Sequence, residues 1–561
     1  MDFHIPYSTF KAKYTTKYAA LYHALHDGIL QNKLKLHTKL PSSRELAGMY
    51  GLSRGTVNQV YEMLIAEGYL QADVGKGTFV AYAGGQENRE EIVGREITLS
   101  IWGTRVCEQS GLERGLAGGG DEQGVELGQE REQGQGQGRE REQEQEQGQG
   151  RERGQDQEQE REQGRVRERE REREQEQEKG QDQEQEQVQE QEQERQGKMV
   201  SFTIGHPQMD DFPRELWNRC MYEQVRRMTE SPLEEAHVAE GHYALREAIA
   251  KHLRRMRGIE ARPERIVIVN GSMQAIALLT QVLVNEGDPV IMERPGYGGI
   301  SRAVLAAGGV PVPGIVDGQG LVPQPWNARL LFVTPSRQFP TGAVLGLERR
   351  RQLLRWAAEQ GAVIVEDDYD SEFRHRGRPI EPLKVLDQEG RVVYIGTFSK
   401  TMLQDLRIGY VVLPDALHAA FVAAKRLFEP HPSGLLEQRS LAAFMQSGGY
   451  ERHLRRMRRV YASKFLLLQA LLQERLSTLF EWVESDAGLH VFGWWRGDSR
   501  TYAGYAAACR KAGVVWSKAG SYGLPAGQEG ACFGFAHLTD EEMRDGVARM
   551  WQVWKENQMK I

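Results

Sequence analysis

The chain has 561 residues, 27% of them charged, and a net charge of −7 at neutral pH. This length predicts more than one domain, and the acidic balance excludes a chain that coats nucleic acid throughout, although one domain could bind DNA. The four cysteines (Cys107, Cys220, Cys509 and Cys532) lack the spacing of a metal site and suit a reducing cytoplasm. No basic start before an apolar run and no apolar stretch of about 18 residues occurs, so we expect neither a signal peptide nor a membrane span.

Composition divides the chain into three zones. Residues 13–81 and 199–561 mix apolar and polar positions as folded domains do, whereas residues 82–198 are dominated by Gln, Glu, Arg and Gly. Ordering a residue costs about 1–2 kcal/mol, and the middle zone has too little apolar surface to offset that cost. It is therefore predicted to be a mostly disordered linker, with transient helix at 165–179, that spans about 60 Å as a coil. A specific binding role for this tract is the alternative.

The first folded zone carries the pattern of a DNA-binding motif. Apolar residues recur at helical spacing over residues 17–31, and Ser42 and Glu45 form a possible capping box at the start of a short helix. A second helix begins at Ser53, and two short extended runs flank a glycine-rich turn within residues 69–80. Helix, short helix, turn, helix and hairpin predict a winged helix-turn-helix.

The start of the second helix is the part of this motif that enters the major groove of DNA. Residues 13–81 carry eight Lys or Arg and five Asp or Glu, so the domain is mildly basic in an acidic chain. The candidate DNA contacts are Ser53, Arg54, Thr56 and Asn58 at the helix start, with Arg44 and Lys76 suited to phosphates. A small helical protein-interaction domain is the alternative.

Short apolar runs alternate with helix-period segments across the second folded zone. The runs are residues 266–269, 289–292, 330–335, 363–369 and 392–396. This alternation predicts an α/β domain with a mainly parallel sheet, whose ligands bind at the carboxyl ends of the strands. Ser272 and Met273 follow the first run through Gly271, and a strand, a glycine turn and a helix N-terminus make an anion site.

Lys400 lies between Thr397 and Thr401, with Arg407 seven residues further on. A lysine amine can form a Schiff base with an aldehyde cofactor, while neighbouring hydroxyls and a guanidinium hold the cofactor's phosphate.

Asp367 and Tyr369 are two residues apart, so in an extended segment both side chains point to one side. The carboxylate could pair with a protonated pyridine nitrogen, and the tyrosine could hydrogen bond a phenolic oxygen of the same ring. Taken alone, Asp367 could instead be a turn residue at the end of a strand.

Two sets of segments resemble known families. Residues 40–47, 53–57, 67–70 and 75–80 resemble a GntR-type DNA-binding domain, and the likeness covers nearly all of residues 15–81. Residues 212–213, 295–297, 339–342, 366–373 and 398–401 resemble a fold-type I aminotransferase, and this likeness covers residues 199–561. The whole chain therefore resembles the MocR/GabR family of transcriptional regulators.

The resemblance implies pyridoxal 5′-phosphate (PLP) on Lys400 and a homodimer with its active sites near the subunit interface. It also implies that the phosphate is held by Ser272, the Met273 amide, Thr397 and Arg407, that the ring stacks on Tyr297, and that its nitrogen faces Asp367 and its oxygen Tyr369. The expected partners are a double-stranded DNA operator and a small amine or amino-acid-like effector, sensed by aldimine exchange at Lys400.

The chain departs from this resemblance at three places. Arg337 stands where the family usually has histidine, and residues 402–405 lack the usual proline. Most importantly, Cys532 stands where aminotransferases have the arginine that binds the substrate carboxylate, and a thiol does not replace a guanidinium. The effector is therefore expected to lack an α-carboxylate, unless Arg337 or Arg302 takes over that contact.

Three functions follow from these observations. The first is a ligand-responsive transcription factor that is not primarily an enzyme, in which an effector at the cofactor changes how the winged helices bind DNA. The second is an active PLP-dependent aminotransferase whose DNA-binding domain is autoregulatory. The third is a regulator that has lost its cofactor.

Overall fold

The computed structural model describes residues 4–14, 16–66, 68–73, 76–82, 95–117, 199–230, 238–375 and 380–558. Its helices are α1 (Tyr7–Lys13), α2 (Lys17–Leu30), α3 (Ser43–Tyr50), α4 (Arg54–Ala66), α5 (Ile101–Ala117), α6 (Arg214–Glu230), α7 (Tyr243–Arg257), α8 (Ser272–Leu283), α9 (Gly298–Ala306), α10 (Leu347–Gln360), α11 (Leu383–Leu386), α12 (Asp415–Phe428), α13 (Leu435–Gln446), α14 (Gly449–Leu476), α15 (Ser499–Lys511) and α16 (Asp540–Gln558). Its strands are β1 (Leu70–Asp73), β2 (Gly77–Val80), β3 (Val200–Phe202), β4 (Ile266–Val269), β5 (Pro289–Arg294), β6 (Val310–Asp317), β7 (Gly320–Leu321), β8 (Leu330–Val333), β9 (Val363–Asp368), β10 (Val392–Thr397), β11 (Gly409–Val412), β12 (Phe480–Trp482), β13 (His490–Trp495), β14 (Val514–Lys518) and β15 (Gly530–Gly534).

Helices α1 to α4 and the β1–β2 hairpin form the N-terminal domain. The capping box predicted for α3 is present, since Glu45 N donates to Ser42 Oγ over 3.3 Å and Ser42 N donates to Glu45 Oε2 over 2.9 Å. Helix α3 ends at Gly51 with φ of 62°, a left-handed conformation that glycine adopts readily. Strands β1 and β2 pair antiparallel, with Leu70 opposite Val80. The predicted winged helix-turn-helix is therefore confirmed.

The N-terminal domain begins before residue 13, where composition placed its start. Ile5, which precedes α1, and Tyr7, the first residue of α1, are buried in the core of this domain. The amide of Ile5 also donates to the Tyr50 hydroxyl over 3.0 Å. The sequence pattern missed this segment because α1 has only seven residues, too few to show a helical period. Gly75, in the predicted wing turn, lies outside the described residues.

The C-terminal domain is built on an eight-stranded sheet in the order β4-β11-β10-β9-β8-β5-β6-β7. The strands from β10 through β6 in this order pair in parallel, whereas β11 and β7 run antiparallel to their neighbours. Strands β4, β8 and β9 are buried along their whole length, as expected for a parallel sheet with apolar clusters on both faces. The predicted α/β domain with a mainly parallel sheet is confirmed.

A smaller five-stranded sheet has the order β12-β13-β15-β14-β3. Strand β3 precedes the large sheet in the chain and pairs in parallel with β14, which ties the two ends of the domain together. In β15, Cys532 lies opposite Phe492 of β13 and opposite Ser517 of β14. Cys532 is fully buried, so the main departure from the aminotransferase pattern lies in the interior of this sheet.

Helix α5 and the residues before it pack on the C-terminal domain. Ser100 Oγ donates to the carbonyl of Gln281 over 2.6 Å, at the end of α8. The Trp102 ring stacks on that of Phe428, at the end of α12, with centroids 6.1 Å apart. These contacts anchor α5 to two helices that cover the large sheet.

This anchoring differs from the predicted linker of residues 82–198. The described residues up to Glu113 belong to the same compact unit as those from Val200 onward. The difference arises because Ile97, Leu99 and Trp102 supply apolar surface that the rest of the zone lacks. Residues 118–198, with the helix predicted at 165–179, lie outside the described residues.

A search of the described ranges finds no helix long and apolar enough to cross a bilayer. The same ranges hold no group of three or more His, Cys, Asp or Glu side chains that could bind a metal ion.

Candidate functional site

An anion cradle lies where β4 passes into α8. Gly271 has φ of 77°, and a Cβ placed on it would lie 2.6 Å from Arg407 Nη2. The guanidinium therefore lies directly over the glycine turn, beside the free amide groups at the start of α8, where Ser272 and Met273 lie. Arg407 itself has φ of 49°, a left-handed conformation that is uncommon outside glycine. A helix N-terminus and a guanidinium together suit a phosphate.

Lys400 follows β10, the central strand next to β9. Its Nζ donates to the carbonyl of Gly205 over 3.1 Å, a contact that the sequence pattern did not predict. Burial lowers the pKa of Lys400, and Arg407 acts in the same direction, while Asp370 opposes them. A lowered pKa raises the fraction of neutral amine, the form that attacks an aldehyde. At the end of β10, Thr397 Oγ1 donates to Ser399 Oγ over 3.2 Å.

Asp367 presents a buried carboxylate oxygen that lacks a partner. It is the fifth residue of β9 and 8% exposed, and its Oδ1 has no hydrogen-bond partner within the described part of the chain. Burial raises the pKa of Asp367 to about 7, with repulsion from Asp368 and Asp370 in the same direction. Leaving a buried charge unpaired is costly, so the site lacks a cation or donor here. A protonated pyridine nitrogen would supply it, and the residues present fit PLP in this respect.

Tyr369 and Asp370 are held by an arginine whose role the sequence pattern left open. Arg337 Nη1 donates to the Tyr369 hydroxyl and to Asp370 Oδ2, both over 3.0 Å, and Nη2 donates to the His490 carbonyl over 2.9 Å. Because the Tyr369 oxygen accepts from Arg337, its own proton can be donated elsewhere, as binding to a ring oxygen requires.

Partly exposed aromatic rings surround Phe339 on the same side of the domain. Its ring centroid lies 4.9 Å from that of Tyr522, 5.7 Å from Tyr369 and 6.3 Å from Tyr297. Tyr297, the predicted stacking residue, is 37% exposed. Its neighbour Gly299 packs between the Tyr297 ring and Met273 Sδ, where a Cβ would lie within 2.4–2.6 Å of both. The structure thus brings Tyr297 and Tyr369 into one aromatic group.

A buried network lies behind Asp367. Arg257 Nη2 donates to Asp368 Oδ2 over 2.5 Å, and the Tyr394 hydroxyl donates to the same oxygen over 2.5 Å. Arg257 Nη1 also donates to the carbonyl of Ile380 over 3.2 Å. This network therefore connects β9, which carries Asp367, to Ile380, the residue before Glu381.

Glu381 is where the DNA-binding domain contacts the C-terminal domain. His26 Nε2 lies 3.4 Å from Glu381 Oε2, and the Tyr69 hydroxyl donates to the same oxygen over 3.4 Å. Beside them, the Arg351 guanidinium stacks over the Tyr82 ring at 3.7 Å. Burial acts to raise the pKa of Glu381, but the hydrogen bond and charge of His26 hold it below its ordinary value. None of these residues was among the sequence candidates, because nothing local links positions so far apart.

The predicted DNA contacts lie on α3, at the start of α4 and directly before β2. Ser53 Oγ accepts from Thr56 N over 3.0 Å and so caps the start of α4. The remaining candidates are exposed, namely Arg44, Arg54, Asn58 and Lys76. Asn58 and Lys76 also line a groove between α4 and the wing. The structure brings the candidates of α4 together at the start of that helix.

Comparison with known proteins matches both domains. Residues 17–80 match the family model of bacterial regulatory proteins of the gntR family, and residues 230–550 match that of aminotransferase class I and II. A Rhizobium meliloti protein described as a probable rhizopine catabolism regulatory protein, MocR, is 33% identical over 542 residues, 94% of this chain and 91% of the relative. The chain belongs to the MocR-type family of transcriptional regulators.

Other relatives of this MocR-type chain divide between regulators and enzymes. The HTH-type transcriptional regulator TauR of Rhodobacter capsulatus is 38% identical over 263 residues, 46% of this chain and 54% of that protein. The α-aminoadipate aminotransferase LysN of Thermus thermophilus superposes with a TM-score of 0.58 and 27% identity over 65% of this chain and 94% of that one. A Pyrococcus horikoshii kynurenine aminotransferase at 24% identity has a TM-score of 0.59 over 64% of this chain and 92% of that one, and this likeness shows the fold alone.

Proposed function

We propose that this MocR-type regulator binds PLP at Lys400, senses an amine or amino-acid-like effector there, and changes its DNA binding in response. The observation that carries the proposal is the buried Asp367 oxygen without a partner among the described residues, and the same domain also carries the anion cradle at Gly271 and a lysine with a lowered pKa. Each of these features suits one part of the same cofactor: ring nitrogen, phosphate and aldehyde.

The proposal assigns a separate task to each side chain of the site. Bound PLP supplies an aldehyde that condenses with amines and a ring that withdraws electrons. Lys400 Nζ supplies the amine, and Asp367 Oδ1 holds a proton between itself and the ring nitrogen. Tyr369, whose oxygen accepts from Arg337, donates its own proton to the ring oxygen.

The remaining predicted contacts complete the proposed cofactor site. Ser272, the Met273 amide, Thr397 and Arg407 bind the phosphate, and Tyr297 covers the ring. These contacts orient the cofactor and exclude water from its reactive face.

The DNA-binding half of the proposal assigns α4 to the major groove of a double-stranded operator. Ser53, Arg54, Thr56 and Asn58 are proposed to contact bases or phosphates, with Arg44 and Lys76 on the backbone. The contact of His26 and Tyr69 with Glu381 supports communication between the two domains, because the buried Arg257 network ends beside it.

A homodimer is proposed as the assembly that binds the operator. Tyr222 and Val225 of α6 are 75% and 44% exposed, and such apolar side chains suit a subunit interface. The molar mass of the protein in solution, measured by light scattering, tests this, and a monomer at micromolar concentration would contradict it.

The absorption spectrum of the purified protein tests the cofactor proposal. A visible band that shifts on adding one amine and then remains is expected from a sensor. Absence of a band after incubation with PLP would contradict the proposal and favour a regulator without cofactor.

An active aminotransferase is the second candidate, because the chain retains Lys400, Asp367, Tyr369 and Arg407 together. In the same experiment, decay of the band to the pyridoxamine form with release of a keto acid would favour this enzyme.

A further inference from the structure

We infer that the effector of this regulator is a primary amine without a carboxylate beside the amine, and with an uncharged, partly apolar body. This inference rests on the proposed function, since it names the class of ligand that the cofactor site accepts. It is carried by the surroundings of Cys532, Arg337 and Phe339.

Cys532 offers no charge to a carboxylate. The residue is 0% exposed, and its neighbours in the small apolar cluster of the second sheet include Phe492, Ala519 and Leu524. Burial raises the pKa of the Cys532 thiol to about 12, so it stays neutral at physiological pH. No arginine occurs between Tyr522 and Thr539 to replace it.

Arg337, one of the two arginines that could replace the missing carboxylate-binding arginine, already binds other groups of the chain. Its guanidinium is bound by Asp370, Tyr369 and the His490 carbonyl, and the residue is 3% exposed. One face packs on Gly488, where a Cβ would lie 2.3 Å from the guanidinium carbon. Arg337 Nε makes no hydrogen bond among the described residues, but it is buried and faces Gly488, and the charge of the guanidinium is already balanced by Asp370. A carboxylate would therefore have to enter this buried space and compete with Asp370 for the same charge.

Three further arginines in the same domain are either exposed to solvent or already assigned to another contact. Arg302, the second arginine that could bind an effector carboxylate, is exposed on α9. Arg294 is also exposed, and its Nε donates to the carbonyl of Gly523 over 3.1 Å. A solvated guanidinium gains little from one carboxylate, because water and salt compete with the pair. Arg407 lies over the anion cradle at Gly271 and serves the phosphate in the proposed site.

The rings around Phe339 favour an apolar effector body. Phe339 and Tyr522, whose ring centroids are 4.9 Å apart, are partly exposed and are not used by the proposed cofactor contacts, and such rings bind apolar groups through their faces. Burial and the nearby Arg337 lower the pKa of His490, so its ring is neutral and adds no positive charge.

The exchange reaction itself requires only the amine. With the cofactor bound, the net exchange would pass the carbon–nitrogen double bond from Lys400 Nζ to the effector nitrogen, while both N–H hydrogens of the neutral effector amine would pass to Nζ. No oxidant or further reactant is consumed. An α-carboxylate would contribute only to binding, and neither the neutral thiol of Cys532 nor the Arg337 guanidinium paired with Asp370 offers it a cation.

Matched pairs of ligands test the inference on the full-length protein loaded with PLP. The pairs are 2-phenylethylamine with phenylalanine and isoamylamine with leucine, and the readouts are the visible absorption of the cofactor and the thermal unfolding midpoint. We expect the amine of at least one pair to act at a concentration at least tenfold lower than its amino acid. Equal or stronger responses to the amino acids would overturn the inference and leave the sensor function standing. No response to any compound from a loaded protein would overturn both.

Two variants at position 532 sharpen this test. Cys532→Arg is expected to gain at least tenfold in response to the amino acids, because it restores a guanidinium. Cys532→Met, which is larger than cysteine but uncharged, separates charge from size and is expected to show no such gain. If Cys532→Arg does not fold, the ligand pairs on the wild type still decide. A gain in the methionine variant equal to that in the arginine variant would count against a charge effect.

Discussion

The proposed cofactor site and the candidate DNA-binding face differ in how their charged side chains are placed. At the proposed cofactor site, Arg337 and Asp370 are 3% and 4% exposed and paired with each other. On the winged helix, Arg54 and Lys76 are exposed. Buried pairs interact strongly and resist salt, whereas exposed charges are screened over about 8–10 Å. The proposed cofactor site is therefore held in place by buried pairs before any ligand binds, whereas the candidate DNA contacts are solvated, as expected of charges that would displace counterions from a polyanion.

Replacing the proposed reactive amine gives the largest expected effect. Lys400→Ala removes the only side-chain atom assigned to a covalent bond with the cofactor, so the visible absorption band should be lost completely after incubation with PLP. The control is Lys511→Ala, an exposed lysine on α15, which should keep the band. A full band in Lys400→Ala would disprove the assignment.

Removing two contacts of the recognition helix is expected to have the next largest effect. Each base contact contributes about 1–3 kcal/mol, so the double variant Arg54→Ala/Thr56→Ala should lose about 2 kcal/mol or more and bind the operator at least about thirtyfold more weakly. Cofactor loading should not change. Gel-shift titration at two salt concentrations measures the operator affinity of both proteins. The affinity of the wild type should fall as the salt concentration rises, whereas its cofactor loading should stay constant.

Lys33→Ala is the control for that measurement, because Lys33 is exposed but lies outside both helices of the motif. Unchanged operator affinity in the double variant would show that α4 is not the recognition helix.

The unpaired aspartate predicts a smaller, pH-dependent effect. Because the pKa of Asp367 is raised to about 7 from an ordinary value of 3.8, the folded apoprotein retains a proton that the unfolded chain releases. The stability from this group is therefore complete below about pH 4 and is lost as the pH rises through about 7. Apo Asp367→Asn should become more stable than the wild type over this range, by about 1.4 kcal/mol or more at pH 7.

PLP should reverse that difference, because the wild-type carboxylate then gains its partner. Thermal unfolding midpoints between pH 4 and 8, with and without PLP, measure both effects. Parallel pH profiles for the two proteins would contradict the account of Asp367.

The contact between the two domains predicts the smallest effect. Glu381→Gln weakens the interaction with His26 by about 1 kcal/mol, which should speed hydrogen exchange in α2 about fivefold. Glu348→Gln, at an exposed position of α10, is the matched control. Equal exchange in both variants would mean that Glu381 does not hold the DNA-binding domain in place.

Local sequence patterns predicted the parts of this molecule that depend on near neighbours. The capping box of Ser42 and Glu45 closes over three residues, and the turn at Gly271 passes directly into α8. The same holds for the parallel sheet, because each buried strand is visible as an apolar run. For these reasons the fold class could be predicted from the sequence, and the candidate site residues could be named from the same local patterns.

Contacts between distant positions could not be predicted in this way. Lys400 meets Gly205 across 195 residues, and Tyr69 meets Glu381 across 312. The commitment of Arg337 to Asp370 is equally invisible in sequence, since either side chain alone could serve a ligand. Which polar groups are already satisfied depends on tertiary packing, and this decides whether an arginine can bind an effector.

The anchoring of α5 has a consequence for how operators of this regulator can be arranged. Between Tyr82 and Arg95 the chain advances 13 residues, and at full extension this covers at most about 45 Å. The Gln- and Glu-rich tract enters the chain only after α5, so its length does not contribute to the separation of the DNA-binding domain from its anchor. For the proposed homodimer, expansion or contraction of that repeat is therefore expected to leave the spacing of its operator half-sites unchanged, whereas insertions between Tyr82 and Arg95 are expected to alter it.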